Sequence, residues 1–165
     1  MINYKPIHLF LSFFLFFSFA CKSPTKNDIG DRITGKVISV KDGDTIDVVF
    51  ENEPLTIRFA HIDCPEKRTN QPFGNAAKKF TSDLCFGQIV TIENEQKFDR
   101  YGRLIGVVIN ENGLNVNKEL LKAGLAWHYK KYSDDDSYAE LENIARQSKL
   151  GLWVEANPIP PWEWR

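Results

Sequence analysis

Between Ile33 and Ile109, apolar side chains recur mostly at every second position, in short runs broken by polar or glycine-containing stretches. That period belongs to strands with one face buried. Ile33–Val40 is the first run and ends at Asp42-Gly43. Thr45–Phe50 and Leu55–Ala60 are two more, rich in Thr, Ile, Val and Phe. The intervening Glu51-Asn52-Glu53-Pro54 predicts a hairpin with a four-residue turn, which sets Phe50 opposite Leu55. Ile89–Glu93 and Leu104–Ile109 complete five strands. After the third strand the spacing changes: Phe73, Ala76, Ala77, Phe80 and Leu84 predict a helix over Phe73–Cys85, stopped by Gly87. Val116–Ala123, ended by Gly124, predicts a short helix. Ser133 is placed to cap, through Asp136, a longer one that runs to Leu150 and stops at Gly151. The order βββαββαα predicts an α+β fold, a five-stranded OB-type β-barrel with three helices.

Residues 1–20 do not fit this pattern. Lys5 is followed by the apolar run Ile7–Ala20, too short for a comfortable membrane span and suited to a cleavable signal peptide. The ending Ser18-Phe19-Ala20-Cys21 resembles a bacterial lipobox, which implies lipidation at Cys21 and attachment of an exported chain to a bacterial membrane, in the periplasm or at the cell surface; the alternative is secretion after ordinary cleavage. Lys22–Asp31 is polar, contains Pro and Gly, and reads as a flexible tether. Residues 32–153 then form the single expected domain, and residues 154–165 a tail rich in Pro and Trp, expected to pack back on the barrel rather than serve a partner. The 165 residues carry a net charge of −1, which becomes −2 without the leader because only Lys5 is lost. No overall basic field draws in a polyanion, so binding of nucleic acid must be local and salt-sensitive. Beyond Cys21 only Cys64 and Cys85 remain; both are expected to stay unpaired, Cys64 beside the candidate site and Cys85 as a small apolar residue closing a helix.

The candidate chemistry lies in Asp42–Glu66. The predicted register sets Asp44 opposite His61, so that Asp44 and Asp63 converge at the open end of the hairpin. Arg58 is a lone charge in an apolar strand, and Pro65 holds Cys64 extended and directs Glu66 away from the sheet. Carboxylate oxygens suit Ca²⁺ or Mg²⁺ and a guanidinium suits phosphate, a combination that suggests phosphodiester chemistry. Plainer roles compete. Asp42-Gly43 can be a simple turn capped by Asp44, and Arg58 can pair across the hairpin with Asp47. His61, Asp63 and Cys64 are too few for a zinc site, and Cys64 has no identifiable base to make it a nucleophile.

Asp42-Gly43-Asp44-Thr45, the Arg58 strand, Ile62-Asp63-Cys64-Pro65-Glu66, Asp99-Arg100-Tyr101-Gly102-Arg103, Gly124-Leu125-Ala126 and Leu150-Gly151-Leu152-Trp153 follow one another as in the staphylococcal (micrococcal) nuclease, or thermonuclease, family. The resemblance spans Ile33 to Trp153. It implies that Asp44, Asp63 and the backbone carbonyl of Cys64 hold Ca²⁺, that Glu66 activates the attacking water, and that Arg58 and Arg103 bind the scissile phosphate. It further implies substrate contacts by Arg100, Tyr101 and Tyr132, with DNA and RNA as substrates and products ending in a 3′-phosphate; a monomer with no obligate protein partner is expected. Two departures stand out: Cys64 replaces the family's usual threonine, and Lys130 replaces a pocket tyrosine. The loop Lys67–Pro72 is also shorter than in the staphylococcal enzyme. The same barrel without catalysis would be a nucleic-acid-binding or surface-adhesion module.

Overall fold

The computed structural model describes residues 29–165. The expected signal peptide, Cys21 and most of the tether lie outside the described residues. The last part of the expected tether is already folded: Ile29 is only 6% exposed, and the carbonyls of Gly30 and Asp31 accept hydrogen bonds from Asn94.

Five strands close a barrel in the order β1-β2-β3-β6-β5, from β1 (Arg32–Asp42), β2 (Thr45–Phe50), β3 (Glu53–Phe59), β5 (Ile89–Phe98) and β6 (Leu104–Ile109). All neighbours are antiparallel except β3 and β6, which run parallel. The alternating pattern of the sequence lines the interior with Val37, Ile46, Val48, Ile57, Val90, Ile92, Leu104 and Val108, all at most 1% exposed. Helices α1 (Gly74–Cys85), α2 (Val116–Lys122) and α3 (Asp136–Gln147) pack outside the strands. This is the α+β, OB-type barrel expected from the order of elements. A two-residue ladder of β4 (Ile62–Asp63) with β7 (Trp127–His128) and a short helix α4 (Pro161–Trp164) are additions.

The central hairpin departs from its predicted register. Glu51 and Asn52 both have positive φ, 49° and 67°, so a tight two-residue turn of the primed kind joins β2 to β3 and Phe50 faces Glu53. Such turns match the twist of the paired strands, which a longer loop need not do. Every pair shifts accordingly: Thr45 faces Arg58 and Asp47 faces Thr56, whose hydroxyl donates to Asp47 Oδ1 at 2.6 Å. Asp47 also pairs with Lys41 at 2.7 Å, so the competing reading of an Arg58–Asp47 ion pair does not hold.

Local signals placed the helices well, with two corrections. In α1 the buried stripe is Gly74, Ala77, Thr81 and Cys85, while Ala76 faces solvent. Asp135 rather than Ser133 caps α3, its carboxylate accepting from Ser137 N at 2.9 Å. Ser133 is buried and its Oγ lies 2.9 Å from both His61 Nδ1 and His128 Nε2, tying the chain before α3 to the β4–β7 ladder. Asn117 does similar work for α2: it is fully buried, donates to the carbonyl of Ala60 and accepts from Val108 N, which fixes α2 across the parallel β3–β6 seam. Cys64 and Cys85 are free and buried.

Candidate active site

The turn between β1 and β2 carries the first carboxylate to the rim of the barrel. Gly43 is required there because a Cβ would lie 2.7 Å from that of Ala77 and 2.9 Å from that of Cys64. Thr81 Oγ1 donates to the Gly43 carbonyl at 2.5 Å, so α1 holds the turn from below. The second carboxylate arrives by a bend. His61 has a φ of 66°, a left-handed conformation uncommon outside glycine, and it folds the chain after β3 so that Asp63 comes back over the β1–β2 turn. Cys64 N donates to Asp44 Oδ2 at 2.8 Å, which joins the two segments directly.

Arg58 lies between them. Its Nη1 is 3.0 Å from Asp44 Oδ2 and its Nη2 is 2.6 Å from Asp63 Oδ1. Burial opposes the charge on Arg58, but Asp44 and then Asp63 outweigh it and raise its pKa. Burial also raises the pKa of Asp63, against the pull of Arg58. The Asp63 side chain is inaccessible to solvent, and its Oδ2 is buried without a hydrogen-bond partner. An ionised oxygen left so is costly unless a cation or ordered water meets it. Asp42, which the sequence reading assigned only to a turn, has its pKa raised to about 6 by burial and by the charge of Asp44, while its Oδ1 accepts from Gly43 N and Lys67 N.

Glu66 follows Pro65 out of the site and is held at its backbone by Gln71, whose Oε1 accepts from Glu66 N at 2.9 Å. Arg103 comes from the other side of the barrel mouth. Its Nε and Nη2 both contact Asp99 Oδ2 at 2.6 Å, and its Nη1 reaches Thr45 Oγ1 at 3.3 Å. Thr45 in turn donates to Asp44 Oδ1 at 3.0 Å, so Arg103 is wired to the first carboxylate through one hydroxyl. Arg100 and Arg103 flank the Tyr101 ring at 4.8 and 5.4 Å, and that ring is 67% exposed. Tyr132, equally exposed, contacts Tyr129 and Lys131 instead of this group.

The structure thus brings Asp44, Arg58, Asp63 and Glu66 together, links Arg103 to them, and puts Tyr132 in a separate aromatic cluster. Cys64 is no nucleophile: burial, and then Asp44, push its thiol pKa well above the ordinary range. Four contributors escaped the sequence reading. Thr45 and Asp99 lie next to or four residues from recognised groups and had a local signal. Gln71 had none, and neither had Arg165, whose Nη2 is 2.6 Å from Asp63 Oδ1 and whose Nε is 2.5 Å from Glu66 Oε1.

Among the described residues, no three or more His, Cys, Asp or Glu side chains gather as a metal cluster. The donor set is two carboxylates joined through Arg58 and neighbouring backbone, and the partnerless Asp63 Oδ2 fits a hard, oxygen-liganded cation.

The family described as "Staphylococcal nuclease homologue" matches residues 56–155. Among similar proteins, an "Uncharacterized endonuclease" of Escherichia coli O157:H7 is 44% identical over 133 residues, covering 81% of this chain and 85% of its own. A "Micrococcal nuclease" of Shigella flexneri is 38% identical over 141 residues, 79% of each chain, and a "Staphylococcal-like nuclease CAN1" of Arabidopsis thaliana is 39% identical over 72% of this chain and 37% of its own. With this match falling on the barrel that carries Arg58, Asp63, Glu66 and Arg103, the chain belongs to the staphylococcal nuclease family and is a nuclease, a hydrolase of phosphodiester bonds.

Proposed function

We propose that the protein is a calcium-dependent, sugar-nonspecific endonuclease that cleaves DNA and RNA to leave 3′-phosphate ends, working as a monomer. The observation that carries this reading is the pairing of Asp44 and Asp63 around Arg58, with one buried carboxylate oxygen lacking a partner and Glu66 beside them. Asp44, Asp63 and the Cys64 backbone carbonyl would hold Ca²⁺; because a carbonyl serves as ligand, cysteine can stand where the family usually has threonine. When bound there, the cation would supply positive charge to offset that of the substrate phosphate.

Glu66 takes the proton of the attacking water as its oxygen bonds to phosphorus. Arg58 and Arg103 donate to the phosphate oxygens and offset the negative charge that grows on them, while Asp99 and Thr45 keep the Arg103 fork oriented. Breaking the bond to the 5′ oxygen, which departs with the electron pair and takes up a proton from solvent, leaves a 5′-hydroxyl and a 3′-phosphate. Exposed Tyr101 and Tyr132, with Arg100 beside the first, offer stacking faces that accept any base, which suits low sequence specificity.

Plasmid and RNA digestion with Ca²⁺, and again with a chelator, tests the proposal. Cleavage that requires calcium is expected; folded protein that binds either substrate without cutting it would instead be a binding or adhesion module.

The same reading extends to place. Lys5, the apolar run to Ala20 and Cys21 after a small residue support an exported nuclease anchored by lipid at Cys21 to a bacterial membrane. Export would keep a nonspecific nuclease away from the genome and put it outside the cytoplasm, where calcium is more available. Wild type should partition into detergent and Cys21→Ser should not; equal partitioning would leave a secreted enzyme.

A further inference from the structure

Residues 157–165 return to the active site and bring Arg165 into it. Their path is held at three points. Gln71 Nε2 donates to the Ile159 carbonyl at 2.7 Å, Pro161 is buried, and the Trp162 ring lies flat on Tyr129, 5.2 Å between centroids at an interplanar angle of 2°. Trp162 also meets the edge of Trp127, the residue paired with Asp63 in the β4–β7 ladder. One turn of α4 later, the Arg165 guanidinium spans the two acids, Nη2 on Asp63 Oδ1 and Nε on Glu66 Oε1. Gln71 therefore binds both partners of this contact, the Glu66 backbone through Oε1 and the tail through Nε2.

We propose that residues 157–165 form a strap whose Arg165 competes with the divalent cation for Asp63 and with the attacking water for Glu66, so that cation binding and release of the strap are linked. The inference rests on the metal site proposed above. Asp63 Oδ1 already serves two guanidinium groups, from Arg58 and Arg165. Adding a divalent charge at the same carboxylate sets cation against cation, and Arg165, 45% exposed at its side chain, can leave for water more readily than Arg58, 12% exposed. Glu66 held by Arg165 cannot at the same time accept a proton from water through that oxygen. Substrate phosphate offers the freed guanidinium a partner, so the strap closes on an empty site and opens on a loaded one. Thermodynamic reciprocity then requires that removing the strap's charge tighten the cation.

Calorimetric titration of calcium into wild type, Arg165→Ala, Arg165→Lys and Asp63→Asn separates the possibilities, with folding checked by circular dichroism. Arg165→Ala is expected to bind calcium about 5- to 100-fold more tightly than wild type. Arg165→Lys, which keeps charge but loses the fork, should fall between them. Amide hydrogen exchange in residues 157–165 of wild type should accelerate when calcium is added. Unchanged or weaker affinity in Arg165→Ala, or exchange in the tail that ignores calcium, overturns the strap. Asp63→Asn that binds calcium as wild type does, or absence of binding in wild type and Arg165→Ala alike, overturns the metal site on which it rests.

Discussion

Arg58 joins two carboxylates because its planar fork presents Nη1 to Asp44 and Nη2 to Asp63 at once. Lysine keeps the charge but has a single point of donation. Arg58→Lys and Arg103→Lys are therefore each expected to lower kcat/KM on plasmid DNA by about 10²- to 10³-fold, the scale of losing one oriented donor at a developing oxyanion. Their denaturation midpoints should move little by comparison; a fully active Arg58→Lys would remove Arg58 from phosphate binding. Glu66 differs in kind, since its carboxylate makes no contact with Arg58 or Asp44 and meets only Arg165 in the ion pairs of the site. Glu66→Gln should slow turnover while calorimetry finds calcium binding largely intact. A collapse of calcium affinity would make Glu66 a principal ligand instead of a base.

At the scale of elements, the site depends on how short segments are turned and tied. β1 carries Asp42 through two register irregularities, the His61 bend returns Asp63, and the Ser133 hydroxyl links His61 to His128 across the β4–β7 ladder. Burial lowers the pKa of both histidines, so the folded protein holds them neutral. Once unfolded they regain the ordinary value of 6.5. Below that pH the imidazoles are protonated in the unfolded chain more than in the native one, so their contribution to stability falls as the solution is acidified through 6.5, while Asp42 and Asp63, whose pKa values are raised in the folded protein, work in the opposite sense. In urea denaturation between pH 5 and 7.5, His128→Gln should lose less stability on acidification than wild type does. A slope unchanged by His128→Gln would place the titration elsewhere.

Taken whole, the molecule carries almost no net charge, −1 over 165 residues, so attraction to a polyanion comes from the few cations around the barrel mouth. Arg58 and Arg103 are partly neutralised by the acids they contact, whereas Arg100 is exposed and lies against Tyr101. Binding of single-stranded DNA to the Glu66→Gln variant should weaken with salt, each contacted phosphate adding about −0.7 to the log–log slope. Arg100→Gln should reduce that slope by about one contact's worth. A slope indistinguishable from that of the parent would take Arg100 out of the substrate path.

Local chemistry determined much of this protein from the sequence alone. Strand alternation in Thr45–Phe50 and Leu104–Ile109, the glycine after α2 and the apolar spacing of α1 depend on residues close in the chain, so barrel and helices were legible without coordinates. The residue types gathered at the site were legible for the same reason, since Asp44, Arg58, Asp63 and Glu66 occupy one short stretch. Their contacts were not. Register hinged on the positive φ of Glu51 and Asn52, a choice made by sheet twist, and it took Asp47 from Arg58 and gave it to Thr56 and Lys41. The cap of α3 passed to Asp135 because Ser133 is engaged by two imidazoles, the buried His128 and the half-buried His61. Arg165 reaches Glu66 and Asp63 across 99 and 102 positions of chain, and no periodicity encodes such a meeting. Only the closed barrel, with aromatic packing of Trp162 on Tyr129 to steer the tail, decides which cation faces the acids.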